Sequence, residues 1–235
     1  MLKRIEWKLY KQRKKSRLIN REVSIISSTC NGGIISHDLG LRFNTPTINA
    51  GIYIPDMVRF IKNIDYYLKK DIKKIAEKNH YYYGRIDDIA VRFTHYKSFD
   101  EAIEKWNIRR QRVKIDNLFL IATDRDGYTA EAMRFYDKSM KTRVKKNAGE
   151  IDTCTYEEIK MFDGLPVEHK VIFTHKLYPE FKSAYCIKGF ENEKRIGILS
   201  DFKPTFWRRR YIDDFDYVSF LNGKSVEAIN LERRD

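Results

Sequence analysis

The feature that most constrains the fold is an apolar segment, Asn117–Thr123, that ends abruptly in Asp124-Arg125-Asp126. A short run of this kind, bounded by polar residues, is typical of a strand buried inside a sheet. Similar segments rich in β-branched residues lie at 23–28, 88–94 and 170–174. Because helical patterns separate these segments, the sequence predicts an α/β fold. We expect a mostly parallel sheet with helices on both faces, in three layers.

Capping signals and apolar spacing mark the helices. Residues 98–101 and 155–158 both have the form of a capping box, in which two side chains bind the first free amides of a helix. Apolar residues three to four positions apart between 57 and 75 predict one helix that begins at Pro55. Further elements are expected near the C-terminus: strands at 184–188 and 217–221, and a helical turn at 225–231.

Composition limits the class of protein. Of the 235 residues, 42% are hydrophobic and 14% are aromatic, which is enough for a sizeable core and argues against a disordered chain. No apolar run approaches the roughly 20 residues that cross a bilayer, and residues 1–21 lack the apolar stretch of a signal peptide. Cys30, Cys154 and Cys186 have no paired spacing, so they fit neither a disulfide framework nor a zinc site. We therefore expect a cytoplasmic protein.

Most of the positive charge lies at the N-terminus. Residues 1–21 hold nine basic residues and one acidic residue, and contribute +8 of the net charge of +13. They are expected to form a basic arm on a single domain of residues 22–235. The arm is either solvated, with Trp7 packed on the domain, or an amphipathic helix that holds the protein at the inner membrane face. Nucleic acid is not an expected partner, since the basic, aromatic segment 203–211 belongs to no recognised nucleic-acid module.

Reactive or polar residues follow several predicted strands. They are Cys30-Asn31-Gly32-Gly33, His95, Asp124 with Asp126, and His175. In open α/β sheets, ligands bind beyond the carboxyl ends of the strands. We therefore expect these residues to share one edge of the sheet and to form the functional site.

Two kinds of chemistry fit this set. Cys30, His95 and Asp124 are the expected catalytic residues, as nucleophile, base and orienting acid. The alternative for Cys30 is a small buried residue that only shapes the turn. Asp124 and Asp126 also suit a divalent metal held against a phosphate, as in some sugar transferases. This tripeptide alone does not define a metal site, so no metal ligand is assigned.

Other residues near the strand ends are expected to hold the substrate. Glycines at a strand-to-helix turn let the backbone approach a ligand closely, and a helix N-terminus favours an anion. Arginines on the helix after residue 98 are suited to binding phosphate. The predicted substrate-binding residues are Asn31, Gly32, Gly33, Arg109, Arg110, Asp126 and His175.

Several short blocks occur in a fixed order along the chain. They include Cys30-Asn31-Gly32-Gly33, Trp106-Asn107 with Arg109-Arg110, Asp124-Arg125-Asp126 and Cys154-Thr155-Tyr156-Glu157. Together the blocks resemble a bacterial family described as exopolysaccharide biosynthesis proteins of unknown function. The resemblance implies an α/β fold and a link to surface polysaccharide assembly, and it assigns no catalytic residue. By comparison with that family, residues 127–153 are expected to be an insertion.

Three functions are consistent with these patterns. The first is a transferase-like enzyme of exopolysaccharide or surface polysaccharide biosynthesis that acts on a sugar or an activated sugar. The second is a thiol hydrolase or acyl-transfer enzyme that uses Cys30, His95 and Asp124. The third is a non-enzymatic protein that binds an anionic surface or nucleic acid, which rests on charge alone.

Overall fold

Two sheets of different kinds organise the chain. The computed structural model describes residues 2–78, 80–127, 153–204 and 209–232. The helices are α1 Leu2–Arg17, α2 Asn31–Leu39, α3 Ile54–Lys62, α4 Ile64–Lys69, α5 Phe99–Arg110, α6 Tyr156–Asp163, α7 Tyr217–Leu221 and α8 Val226–Glu232. The strands are β1 Ser24–Ser27, β2 Ala50–Gly51, β3 Lys73–Lys78, β4 Tyr81–Ile86, β5 Ile89–Phe93, β6 Leu118–Thr123, β7 His169–Thr174 and β8 Ala184–Cys186.

The first sheet is parallel and has the strand order β1-β6-β7-β8. Every residue of β6 is buried. Leu118, Leu120 and Ala122 enter one hydrophobic cluster, whereas Phe119 and Ile121 enter another. The apolar run in the sequence therefore exists because both faces of this strand are covered.

Helices cover both faces of the parallel sheet. On one face, α2 and α7 contribute Ile35 and Val218 to the hydrophobic cluster. On the opposite face, α3 and α5 contribute Phe60 and Trp106, and β5 of the second sheet contributes Phe93. The second sheet thus shares a core with one side of the first.

The second sheet is antiparallel, with the strand order β2-β5-β4-β3. The strand predicted at 88–94 exists as β5, but it belongs to this sheet. The single helix predicted from Pro55 to residue 75 is wrong, because the helical run is interrupted at Asn63 and ends at Lys69. Residues 73–78 instead pair with β4 as a hairpin.

The predicted fold class is confirmed at the level of a mixed α/β protein. A mostly parallel sheet is not confirmed, since half of the eight strands in the described ranges lie in the antiparallel sheet. Three regular layers are not confirmed either, because the second sheet and helices cover one face together. The strand predicted at 217–221 is wrong: Asp216 caps this segment as helix α7 by accepting a hydrogen bond from the Ser219 amide.

Other local predictions are confirmed. Ser98 accepts a hydrogen bond from the Glu101 amide at the start of α5. Thr155 and Glu158 form a reciprocal capping box at the start of α6. Within the described ranges, no helix is long and apolar enough to span a membrane.

The expected insertion, residues 127–153, lies outside the described residues except for its two ends. Where the chain is described again, the Thr153 hydroxyl and the Cys154 amide both donate to the Asp124 carbonyl, at 3.1 and 2.5 Å. The segment therefore leaves and rejoins the body at neighbouring points.

The basic N-terminal segment forms a helix that packs on the body. Trp7 of α1 contacts Phe202, with 5.4 Å between ring centroids. Lys14 is buried and forms an ion pair with Asp213 at 2.9 Å. Arg210, from the basic segment at 203–211, lies over the Trp7 ring and also binds Asp213. One cation of each segment, Lys14 and Arg210, is therefore neutralised inside the protein by the same carboxylate.

This buried ion cluster yields a prediction about stability. Burial raises the pKa of Asp213, but Arg210 and Lys14 outweigh that effect and lower it. The stability that Asp213 contributes is therefore present near neutral pH and is lost as pH falls through the lowered pKa. We expect Asp213→Asn to lower the free energy of unfolding in urea by about 3 kcal/mol, because two buried cations lose a partner.

The control variant is Glu22→Gln, which removes an exposed ion pair with Lys114. It should leave the urea midpoint unchanged, since exposed pairs contribute little. Equal midpoints for Asp213→Asn and the wild type would contradict the proposed role of the buried cluster.

Candidate functional site

A cleft of about 330 Å³ lies at the carboxyl ends of β1 and β6, which are neighbours in the parallel sheet. Helix α2 follows β1 and packs on one face, whereas α6 follows β6 and packs on the other. The next described helices after the two strands therefore lie on opposite faces of the sheet. In open α/β sheets, ligands bind in the crevice between neighbouring strands whose helices lie on opposite faces.

Four parts of the chain supply the lining residues used below. They are the turn after β1, the end of β6, the end of β5 and a loop after β8. These residues are Thr29, Cys30, Asn31, Arg92, Thr94, His95, Arg125, Asp126, Arg195, Ile198 and Ser200.

The N-terminus of α2 forms one wall. A Cβ at Gly32 would lie 2.8 Å from the Cβ of Ser27, so only glycine lets the helix start this close to β1. Cys30 occupies the N-cap position, and its side chain makes no capping hydrogen bond. The first amides of α2 therefore have no side-chain cap, and they favour an anionic group beside them.

Three arginines make the cleft positive. Arg92 comes from β5, Arg125 from the turn after β6, and Arg195 from the loop after β8. Arg92 lies against Gly51, where a Cβ would come within 3.1 Å of Nη2. Its position therefore depends on that glycine.

Two polar atoms in the cleft walls lack a partner. Arg92 Nε and Thr29 Oγ1 are buried and accept or donate no hydrogen bond among the described residues. Buried polar atoms are normally hydrogen-bonded. A polar ligand in the cleft is the kind of group that would supply these bonds.

Asp126 is a buried carboxylate in this positive cleft. Its Oδ2 accepts hydrogen bonds from Ser28 Oγ at 2.5 Å and from Thr123 Oγ1, which leaves Oδ1 for a ligand. Burial raises the pKa of Asp126, although the two hydrogen bonds and the charges of Arg92 and Arg125 act against this rise. A buried carboxyl group with a raised pKa is typical of an acid–base residue.

Asp124 has a different environment from Asp126. Its Oδ2 accepts from the ring Nδ1 of His175 at 2.5 Å and from the His175 amide at 2.7 Å. Its Oδ1 accepts from the Ile196 amide at 2.9 Å. Asp124 therefore holds the end of β7 and the loop that carries Arg195. Because both of its oxygens are engaged, Asp124 and Asp126 do not present two free carboxylates to one cation.

The other predicted site residues divide into two groups. Cys30, Asn31, His95 and Asp126 line the cleft, whereas Asp124 and His175 contact each other beside it. Cys30 Sγ lies 3.6 Å from Thr94 Oγ1. Within the described ranges, no group of three or more His, Cys, Asp or Glu side chains is arranged to hold a metal.

Four predicted substrate-binding residues lie outside the cleft lining. Gly32 packs on β1, and Gly33 faces Ile48. Arg109 donates to the Tyr96 hydroxyl at 2.9 Å, and Arg110 donates to the Lys70 carbonyl at 2.6 Å. The two arginines therefore have structural partners on other elements.

Comparisons with known proteins assign the chain to a family. The model of a domain of unknown function, DUF1919, matches residues 1–145 and 140–222. The chain belongs to this family. A protein of Haemophilus influenzae described only as uncharacterized is 39% identical over 207 residues, which cover 88% of this chain and 87% of that protein. The match to DUF1919 includes α1 as well as the strands that build the cleft.

Sequence reasoning missed the arginines of the DUF1919 cleft. Arg92 has a recognisable signal, since it is a charged residue inside the apolar strand Ile89–Phe93. Arg125 lies between Asp124 and Asp126, the two residues whose spacing suggests a metal site in the sequence. Arg195 lies in a loop with no such signal, and only the fold brings it to the cleft.

Asp126 yields a prediction about pH. Because its pKa is raised in the folded protein, ionised Asp126 destabilises the fold as pH rises through that value. Asp126→Asn removes this penalty. We expect the difference in Tm, variant minus wild type, to increase as the pH is raised from acidic to mildly alkaline. Thermal unfolding of both proteins across this pH range measures the difference. Asp71→Asn, at an exposed position, is the control. A Tm difference for Asp126→Asn that is the same at every pH would contradict the raised pKa.

Proposed function

We propose that this DUF1919 protein is a transferase-like enzyme of surface polysaccharide biosynthesis whose cleft binds the phosphate of an activated sugar. The observation that carries the proposal is the convergence of Arg92, Arg125 and Arg195 with the N-terminus of α2 on one cleft. Guanidinium groups and helix N-termini are common phosphate-binding groups. The link to polysaccharide comes from the sequence resemblance alone.

The proposed chemistry assigns roles to the cleft residues. Transfer of a sugar breaks the bond between its anomeric carbon and a phosphate oxygen, and forms a bond to an acceptor hydroxyl. The arginines would stabilise the negative charge on the departing phosphate. Asp126 would accept the proton of the acceptor hydroxyl, since a raised pKa makes an ionised carboxylate a stronger base.

Asp124 has a positioning role in this proposal. It holds the Ile196 amide, and so fixes the loop that presents Arg195 and Ile198 to the cleft. The cleft volume, about 330 Å³, is at the lower end of the range for small-molecule sites. A sugar phosphate, or that part of a larger donor, is a ligand of suitable size.

A binding experiment tests the phosphate site. We expect sugar 1-phosphates or nucleotide sugars to raise the Tm, and Arg92→Gln to weaken their affinity by about tenfold or more, as for the loss of a charged hydrogen bond. Isothermal titration calorimetry measures the affinity. Arg110→Gln is the control, because Arg110 binds the Lys70 carbonyl outside the cleft. The proposal fails if no phosphorylated sugar binds, or if both variants bind equally well.

A second candidate function rests on Cys30 and His95, which line the same cleft. A thiol and an imidazole in one cleft suit acyl transfer or hydrolysis through a covalent thioester. The orienting acid predicted for this set is not available to His95, because Asp124 binds His175. This difference favours the phosphate-binding proposal over thiol catalysis.

Alkylation distinguishes the two candidates. Under the transferase proposal, iodoacetamide should modify Cys30 no faster than free cysteine, and Cys30→Ser should retain sugar-phosphate binding. Cys154 is an internal control, since burial raises the pKa of its thiol well above the usual value and should keep it unreactive. Rapid, selective alkylation of Cys30 would support thiol chemistry instead. Mass spectrometry of the labelled peptides measures each rate.

A further inference from the structure

The outward face of α1 carries apolar and basic side chains that are exposed to solvent. The inward side chains, Trp7 and Lys14, contact Phe202 and Asp213. On the outward side, Ile5 and Leu9 are 49% and 52% exposed. Burial in the protein therefore does not account for these two apolar residues.

Basic residues flank the apolar pair. With 3.6 residues per turn, Ile5 and Leu9 lie on one stripe of α1, with Lys8 and Lys15 on one side of it and Arg13, beside the exposed Glu6, on the other. All three basic side chains are exposed, and they form no ion pair with another described residue. By contrast, other basic residues of the same helix have acidic partners: Lys11 with Asp38, Lys14 with Asp213 and Arg17 with Asp216.

We infer that this outward face of α1 docks the protein on an anionic lipid membrane. An apolar centre with cationic flanks is the arrangement of helices that lie in the interface plane of a bilayer. Anionic headgroups attract the flanking cations, and the apolar side chains enter the boundary of the acyl chains. A nucleic acid would use the cations but would gain little from Ile5 and Leu9, so the apolar pair favours lipid.

The inward side of α1, opposite the docking face, is connected to the cleft through a short stretch of chain. Trp7 of α1 packs on Phe202, which is 43% exposed. Two residues before it, Ser200 lines the cleft, as does the exposed Ile198. A protein docked through α1 would therefore have its cleft a short stretch of chain away from the membrane-bound helix. This placement would suit a lipid-linked sugar acceptor or donor, a step that rests on the proposed function, whereas the docking itself does not.

Vesicle co-sedimentation of the full-length protein tests the docking face. We expect binding to phosphatidylcholine vesicles that contain phosphatidylglycerol, and little binding to phosphatidylcholine alone. Replacing Lys8, Arg13 and Lys15 together by Glu should weaken partitioning by at least about tenfold. The matched control replaces Lys62, Lys69 and Lys73, exposed on α3, α4 and β3, by Glu and should bind within about twofold of the wild type.

The apolar pair is tested separately. Ile5→Ser with Leu9→Ser should reduce vesicle binding at salt concentrations that screen the charges, and should leave the Tm unchanged because both side chains are exposed. Ile115→Ser is the control, since Ile115 is 45% exposed outside α1.

Three outcomes would overturn the inference. The first is the absence of binding to anionic vesicles. The second is an equal loss of binding in the α1 charge variant and its charge-matched control. The third is RNA binding that depends on the basic residues, together with vesicle binding that the serine substitutions do not change. The last outcome would assign the face to nucleic acid. Sugar-phosphate affinity, measured without lipid, should be the same in the wild type and the α1 variants, so the two proposals fail independently.

Discussion

The tripeptide Asp124-Arg125-Asp126 joins the parts of the structure on which the cleft depends. The Asp124 carboxylate holds the end of β7 and the Ile196 amide. The Asp124 carbonyl accepts from the amide of Cys154, and the Asp126 carbonyl accepts from the amide of Ile54 at the start of α3. Asp124 and Asp126, two of the three residues that follow the buried strand β6, therefore connect the neighbouring strand, the cleft loop and the segment that leads from the second sheet.

The two aspartates have identical side chains, but their hydrogen-bond partners give them different roles. Asp124 accepts two backbone N–H bonds and faces the His175 ring, so its carboxylate is fully occupied in holding the fold. Within the described part of the chain, Asp126 accepts hydrogen bonds through one oxygen only, from two hydroxyl groups. The remaining oxygen belongs to a cleft that contains three arginines. In sequence the two residues are equivalent, and only their contacts make one structural and the other a candidate acid–base group.

Local patterns predicted the buried strands and the capped helices because neighbouring residues decide these features. The apolar run at β6 and the caps at Ser98 and Thr155 are examples. The hairpin of β3 and β4 was missed because Ile72 and Ile75 continue the apolar spacing of α3 and α4, and this spacing resembles one long helix. A local pattern does not show which sheet a strand joins. The sequence therefore predicts β5 correctly as a strand but does not predict the antiparallel sheet to which it belongs.

The same limit applies to charge. The net charge of the first 21 residues says nothing about which cations have internal partners. In the structure, Asp38, Asp213 and Asp216 pair with basic residues on the inward side of α1. These ion pairs and the aromatic contacts fix the orientation of α1, because they can form together only when the helix is rotated about its axis so that this side faces the body. That rotation turns Ile5 and Leu9 outward, so the interactions that fix α1 on the body also determine which residues lie on the face proposed to dock on a membrane.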